Sequence, residues 1–174
     1  SNVVFKAVST ANLDSIKLLL NYEKDLNKFF TISEDDKYRK TETTLLLASI
    51  NAKNLDIARE LIKRGASIDL ANSRAETPLL CAMRKGLYDF ASELISMGAN
   101  IDALDIAKNS VLSYAIKAKQ TKLSLDVISN TNLNILFSED VAKERPEVYE
   151  SFISSFPKAA FSISKEVISS PSIF

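Results

Sequence analysis

Apolar residues in this chain recur at helical spacing in short, evenly placed runs. Leu87, Phe90, Ala91, Leu94 and Ile95 fall three and four residues apart, which predicts a helix with one apolar face. Just ahead, Thr77 suits a helix N-cap and Pro78 suits the first helical position, where its missing N–H costs nothing, so a shorter helix is expected to run to about Lys85. Gly86 stops that helix by adopting positive φ, and Gly98 ends the longer one in the same way. A helical pattern also opens almost at once, from Val3 to Val8.

The helix pair repeats. Lys63-Arg64-Gly65-Ala66-Ser67-Ile68-Asp69 returns 33 residues later as Ser96-Met97-Gly98-Ala99-Asn100-Ile101-Asp102. The same offset relates Thr44, Thr77 and Ser110, then Leu46, Leu79 and Leu112, and it relates Leu61-Ile62 to Leu94-Ile95 to Val127-Ile128. Neither helix of such a pair buries its apolar stripe alone, so neighbouring pairs must stack, and small Ala58, Ala66, Ala82, Ala91 and Ala99 mark close approaches. This 33-residue unit, with Thr77-Pro78-Leu79-Leu80-Cys81-Ala82 standing for a T-P-L-H-x-A signature, resembles the ankyrin family over about residues 2–134. Leu80 takes the place where that family usually has His. The resemblance implies an all-α solenoid of stacked helix-turn-helix units with short β-hairpin fingers.

Two regions depart from the period. Leu13-Asp14 aligns with Leu55-Asp56 at an offset of 42, so nine residues are inserted between Asn27 and Thr44. The segment 28–43 is read as an enlarged finger loop, giving repeats at 1–27, 44–70, 71–103 and 104–134. The repeat signal stops after Asn132-Leu133-Asn134. Beyond it, Ser138 resembles an N-cap, and Pro146 is expected to start a helix carrying Val148, Tyr149, Phe152, Ile153 and Phe156 that Pro157 ends. A last helical segment is expected over 159–168. Residues 135–174 are therefore read as a divergent helical cap over the solenoid end.

Composition narrows the chemistry. The 174 residues are 46% hydrophobic and 25% charged, as in ordinary folded domains. Lys plus Arg and Asp plus Glu both total 22, so no net field draws nucleic acid or an anionic membrane. With no His, catalytic triads that use it and His metal sites are excluded, and one cysteine, Cys81, builds neither a disulfide nor a thiolate zinc site. The three glycines are used as helix terminators, which leaves no phosphate-cradling loop. The Glu34-Asp35-Asp36 cluster lacks the ligand alternation of a calcium loop and reads as a solvated tip. Cys81, beside Leu79 and Ala82 with no general base in the sequence around it, reads as a packed hydrophobe. No catalytic residue, cofactor or metal is expected.

The function implied by the ankyrin resemblance is a non-catalytic scaffold that binds a partner protein through finger tips and the open side of the inner helices. Carried over position by position, that surface comprises Tyr38, Lys40 and Asn51, then Ser73, Arg74, Glu76, Arg84 and Lys85, then Leu104, Ile106, Ala107, Asn109 and Lys117. Leu104 and Ile106 either form an apolar contact patch at a finger tip or pack on the neighbouring finger. In the inserted segment, Phe29, Phe30, Tyr38 and Arg39 are residue types favoured at interface hot spots, and Phe29 and Phe30 have the second reading of covering the first repeat. The expected chain is a cytoplasmic monomer. The alternatives are a regulatory or targeting segment of a larger enzyme, or a secreted bacterial effector whose signal has been removed.

Overall fold

The computed structural model describes residues 2–10, 12–33 and 40–130. Within them the chain forms four helix pairs: α1 (Asn2–Thr10) with α2 (Leu13–Leu20), α3 (Leu45–Asn51) with α4 (Leu55–Lys63), α5 (Pro78–Arg84) with α6 (Tyr88–Ser96), and α7 (Val111–Lys117) with α8 (Thr121–Asn130). Inner helices stack in the order α1, α3, α5, α7, and α2 packs on α4. The ankyrin-like helical solenoid is thus the architecture observed. The helices expected in residues 135–174, together with Glu34-Asp35-Asp36, Tyr38 and Arg39, lie outside the described residues.

Each inner helix from α3 onward starts where the sequence places a cap. Thr44 Oγ1 accepts from the Leu47 N–H and Thr77 Oγ1 from the Leu80 N–H, both at 3.3 Å. Ser110 and Ser113 cap reciprocally at 3.1 and 3.0 Å, satisfying two donors that a helix start leaves open. Gly86 ends α5 at φ +72. At the equivalent turns of the neighbouring pairs, Lys53 and Lys119 take the left-handed conformation at φ 60 and 56, with a Cβ that resists it. These turns are held by their place between two packed helices rather than by glycine.

The apolar stripes merge into one continuous core. Leu46, Leu79 and Leu112 are all at most 1% exposed, as are Leu61, Leu94 and Val127 on the outer helices. Ala58, Ala82 and Ala91 are wholly buried, and Ala66 and Ala99 are nearly so. Adjacent units are also stitched along the backbone. Asn27 Oδ1 accepts from the Ser67 N–H, and Asp69 Oδ1 from the Asn100 N–H, each at 2.8 Å.

The segment 28–43, read as a loop, contains a ladder. Strands β1 (Phe30–Ser33) and β2 (Lys40–Thr43) pair antiparallel, with Phe30 opposite Thr43 and Ile32 opposite Thr41. The β-branched Thr31, Ile32, Thr41 and Thr43 favour a pleated, half-buried surface. Among the described residues these are the only strands; the fingers ahead of Thr77 and Ser110 keep their hairpin shape through turns alone.

Candidate functional site

A groove of about 320 Å³ runs along the open side of the inner helices and under the hairpin. Phe5 of α1, Ile32 of β1, and Leu47 and Ala48 of α3 give it apolar walls, while Thr41, Asn51, Asn72, Arg74, Glu76 and Arg84 supply polar groups. A smaller depression of about 90 Å³ shares Arg74, Glu76 and Arg84 with it and adds Asp105 and Ile106. The two therefore adjoin across the fingers.

The fingers that border the groove are shaped by one side chain each. Asn72 Oδ1 accepts from the N–H groups of Arg74 at 2.9 Å and Glu76 at 3.1 Å. Asp105, 33 residues on, does the same with Ala107 at 2.8 Å and Asn109 at 2.9 Å. Such side chains substitute for a backbone turn, which is why short Asn and Asp sit there. Fingers are then tied to one another: the Ser73 N–H donates to Glu42 O at 3.2 Å, Ser73 Oγ accepts from the Glu42 N–H at 3.1 Å, and the Ile106 N–H donates to Arg74 O at 3.1 Å.

Two of the residues assigned to the partner surface are largely buried, although Glu76 still lines the groove. Glu76 and Asn109 are each only 8% exposed. Glu76 accepts from Arg84 Nε and from Asn72 Nδ2, so its charge is paired and its two oxygens are used. Asn109 donates its side-chain N–H groups to both oxygens of Asp105, at 3.2 and 3.0 Å. Their position just before a helix N-cap turns them inward, as it does Thr43 in the preceding unit. The apolar pair also splits. Ile106 is 71% exposed, whereas Leu104 is half-buried.

Phe29 and Phe30 separate in the same way. Phe30 stacks on Phe5 of α1 at a centroid distance of 5.0 Å, with Lys28 Nζ 5.2 Å from its ring. It covers the first unit, while Phe29 stays 46% exposed. Of the remaining assigned residues, Asn51, Arg74 and Arg84 line the groove and are exposed. Ser73 is exposed at the tied finger, Lys117 is exposed on α7, Lys85 is half-buried, and Lys40 opens β2. Phe5, Ile32, Thr41, Leu47, Ala48 and Asn72 line the groove and were not singled out by sequence.

Titratable groups near the groove are tuned for structure. Burial pushes the Cys81 thiol up to about 12, and the Glu76 carboxylate adds to this, so the sulfur stays protonated and a poor nucleophile. Burial also raises Tyr114, whose hydroxyl donates to Asp105 at 2.8 Å and is held protonated by it. Burial alone would raise Asp105, but donors from Asn109, Tyr114 and Ala107 outweigh it and hold the carboxyl below its ordinary value. Among the described residues no group of three or more His, Cys, Asp or Glu could hold a metal ion. Nor is any described helix long and apolar enough to cross a membrane.

A stack of capped helix pairs with a grooved inner side is a repeat solenoid. A family model described as ankyrin repeats (3 copies) matches residues 4–105 and, overlapping, 45–134, and the chain belongs to that family. Comparison with curated proteins returns no significant match. Ankyrin repeats generally mediate binding between proteins, and domains built of them are typically non-catalytic.

Proposed function

We propose that this chain is a protein-binding scaffold whose partner lies along the groove beneath the hairpin and across the two fingers. The observation that carries the reading is the groove itself, where Phe5, Ile32 and Leu47 meet Asn51, Asn72 and Arg74. An apolar floor with a few fixed polar groups suits a protein segment, and helices already packed lose little freedom when it docks. Arg84 serves the site in two ways, holding Glu76 while keeping part of its guanidinium at the surface. Ile106, exposed at the next finger, extends the contact, and Phe29 offers a second edge beside the hairpin.

Affinity purification with mass spectrometry tests this, comparing the natural sequence with Asn51→Arg combined with Ile106→Glu. Both side chains are exposed, so thermal unfolding should be unchanged while specific partner recovery falls at least about tenfold, the change expected when around 1.4 kcal/mol of binding is lost. Recovery of the same partners at the same yield would remove this surface from consideration.

A further inference from the structure

The chain carries no net charge, but its charges are not spread evenly. Among the described residues from β2 onward, the inner helices, the turns that follow them and the fingers at 72–76 and 105–109 expose Lys53, Arg74, Arg84, Lys108, Lys117 and Lys119, against one exposed carboxylate, Glu42. The other two carboxylates on this side are turned inward. Glu76 is occupied by Arg84 and Asn72, and Asp105 by donors from Ala107, Asn109 and Tyr114. The outer helices and the junctions between units mix the signs instead, exposing Asp56, Asp69 and Asp89 with Lys63 and Lys122.

Part of this charge lies in register. Asn51, Arg84 and Lys117 are the last residues of α3, α5 and α7, and all three are exposed. A cation at a helix C-terminus also favours the helix itself, but Asn51 shows that the position does not require one. Because the inner helices stack side by side, these side chains stand about 10 Å apart. Arg74 and Lys108 flank the row from the fingers, and Arg74 and Arg84 line both depressions. The apolar lining, Phe5, Ile32 and Leu47, lies at the other end beside Asn51. The groove is thus apolar beside α1 and α3 and cationic beside α5 and α7.

We infer that the occupant of this groove is an extended acidic segment of a partner protein, with an apolar anchor at one end and carboxylates at every third residue beyond it. The inference rests on the reading of the groove as the partner site. An extended chain advances about 3.3 Å per residue, so three residues match the step of about 10 Å between stacked helices. Glu76 holds Arg84 by Nε, which fixes the guanidinium without enclosing it, so the cation is already placed when a carboxylate arrives. Charge complementarity then sets direction as well as affinity, with the anchor toward α1 and the carboxylates toward α7. A nucleic acid, charged along its whole length, would bring phosphates against the apolar half.

Selection from a random-peptide display library, with the natural sequence as bait, tests this. Recovered peptides should be enriched in Asp and Glu at three-residue spacing beside an aliphatic or aromatic anchor, and added salt should weaken their binding. A selected peptide, fluorescently labelled, should bind Lys117→Glu combined with Lys108→Asn at least about tenfold more weakly, with thermal unfolding unchanged because both side chains are exposed. Asn tolerates the left-handed backbone at residue 108, where φ is 59. Exchanging one carboxylate of the peptide for lysine should restore binding to Lys117→Glu alone. Enrichment of basic or purely apolar peptides that Asn51→Arg with Ile106→Glu abolishes would keep the groove and overturn the acidic occupant. Peptides indifferent to that pair, or no peptides at all, would remove the groove itself. Tighter binding of a mixed-sequence single-stranded oligonucleotide than of the peptide would also overturn the inference.

Discussion

The inserted hairpin and the finger ahead of Ser110 do the same work in different units, yet they are held in opposite ways. The hairpin is held by a backbone ladder from Phe30 to Thr43 and by the stack of Phe30 on Phe5. The finger has no ladder; it is closed by two backbone turn bonds, Asp105 N–H to Asn109 O and Lys108 N–H to Asp105 O, is tied to its neighbour by the Ile106 N–H, and is centred on one carboxylate, Asp105, which takes donors from Ala107, Asn109 and Tyr114. A regular repeat can rely on one anchored side chain because its neighbours fix everything else. The insertion, longer by nine residues, must carry its own order.

Asp105→Ala should therefore be the most damaging change in either region, costing about 2 kcal/mol because several donors lose a charged acceptor together. Chemical denaturation measures it, and a cost near zero would mean the finger is held some other way. The same carboxylate gives a pH signature. Its folded value lies below the unfolded one, so its contribution is complete above the ordinary aspartate value of about 3.9 and is lost as pH falls through the lower folded value. The acid limb of the stability curve should flatten in Asp105→Ala.

Phe30→Ala should cost less, about 1 to 1.5 kcal/mol, and its loss should be local. Hydrogen exchange is expected to quicken in β1 and β2 while α5 to α8 keep their protection; uniform quickening would show that the hairpin is part of the common core. Ala75→Gly runs the other way. Ala75 is left-handed at φ 54 in the turn ahead of Thr77, and relieving it should stabilise the chain by about 0.5 to 1 kcal/mol, read as a raised melting temperature. Ser73→Ala removes the acceptor for the Glu42 N–H at an exposed site and should cost no more than about 0.5 kcal/mol. A larger loss would mean that hairpin and finger fold as one unit.

Much of the scaffold was legible because its causes are local. Thr44, Thr77 and Ser110 announce helix starts, and Leu46, Leu79 and Leu112 repeat because each meets the same neighbour one unit away. The enlarged finger was legible, but its strand bounds were not, because the pairing joins strands separated by residues 34–39 and the alternation of Phe30 with Ile32 and of Thr41 with Thr43 is too short to mark them. Glu76 and Asn109 are more buried than their polarity suggests, and only the folded turn reveals Arg84 and Asp105 as their partners. Comparing them with Thr43 at the same repeat position, a residue suited to burial, was the available signal. The groove was half legible. Asn51, Arg74 and Arg84 follow from the family pattern, but Phe5 and Ile32 reach it from elements that only the insertion brings together.

The bonds from Ser67 to Asn27 and from Asn100 to Asp69 have a mechanical consequence. Each links a unit only to the one beside it, so tension applied to the two ends is resisted by one junction at a time rather than by the whole fold in parallel. A chain of this kind yields by peeling, lengthening in steps of about one unit at modest force, and it can rewind by adding units back onto whichever part remains folded.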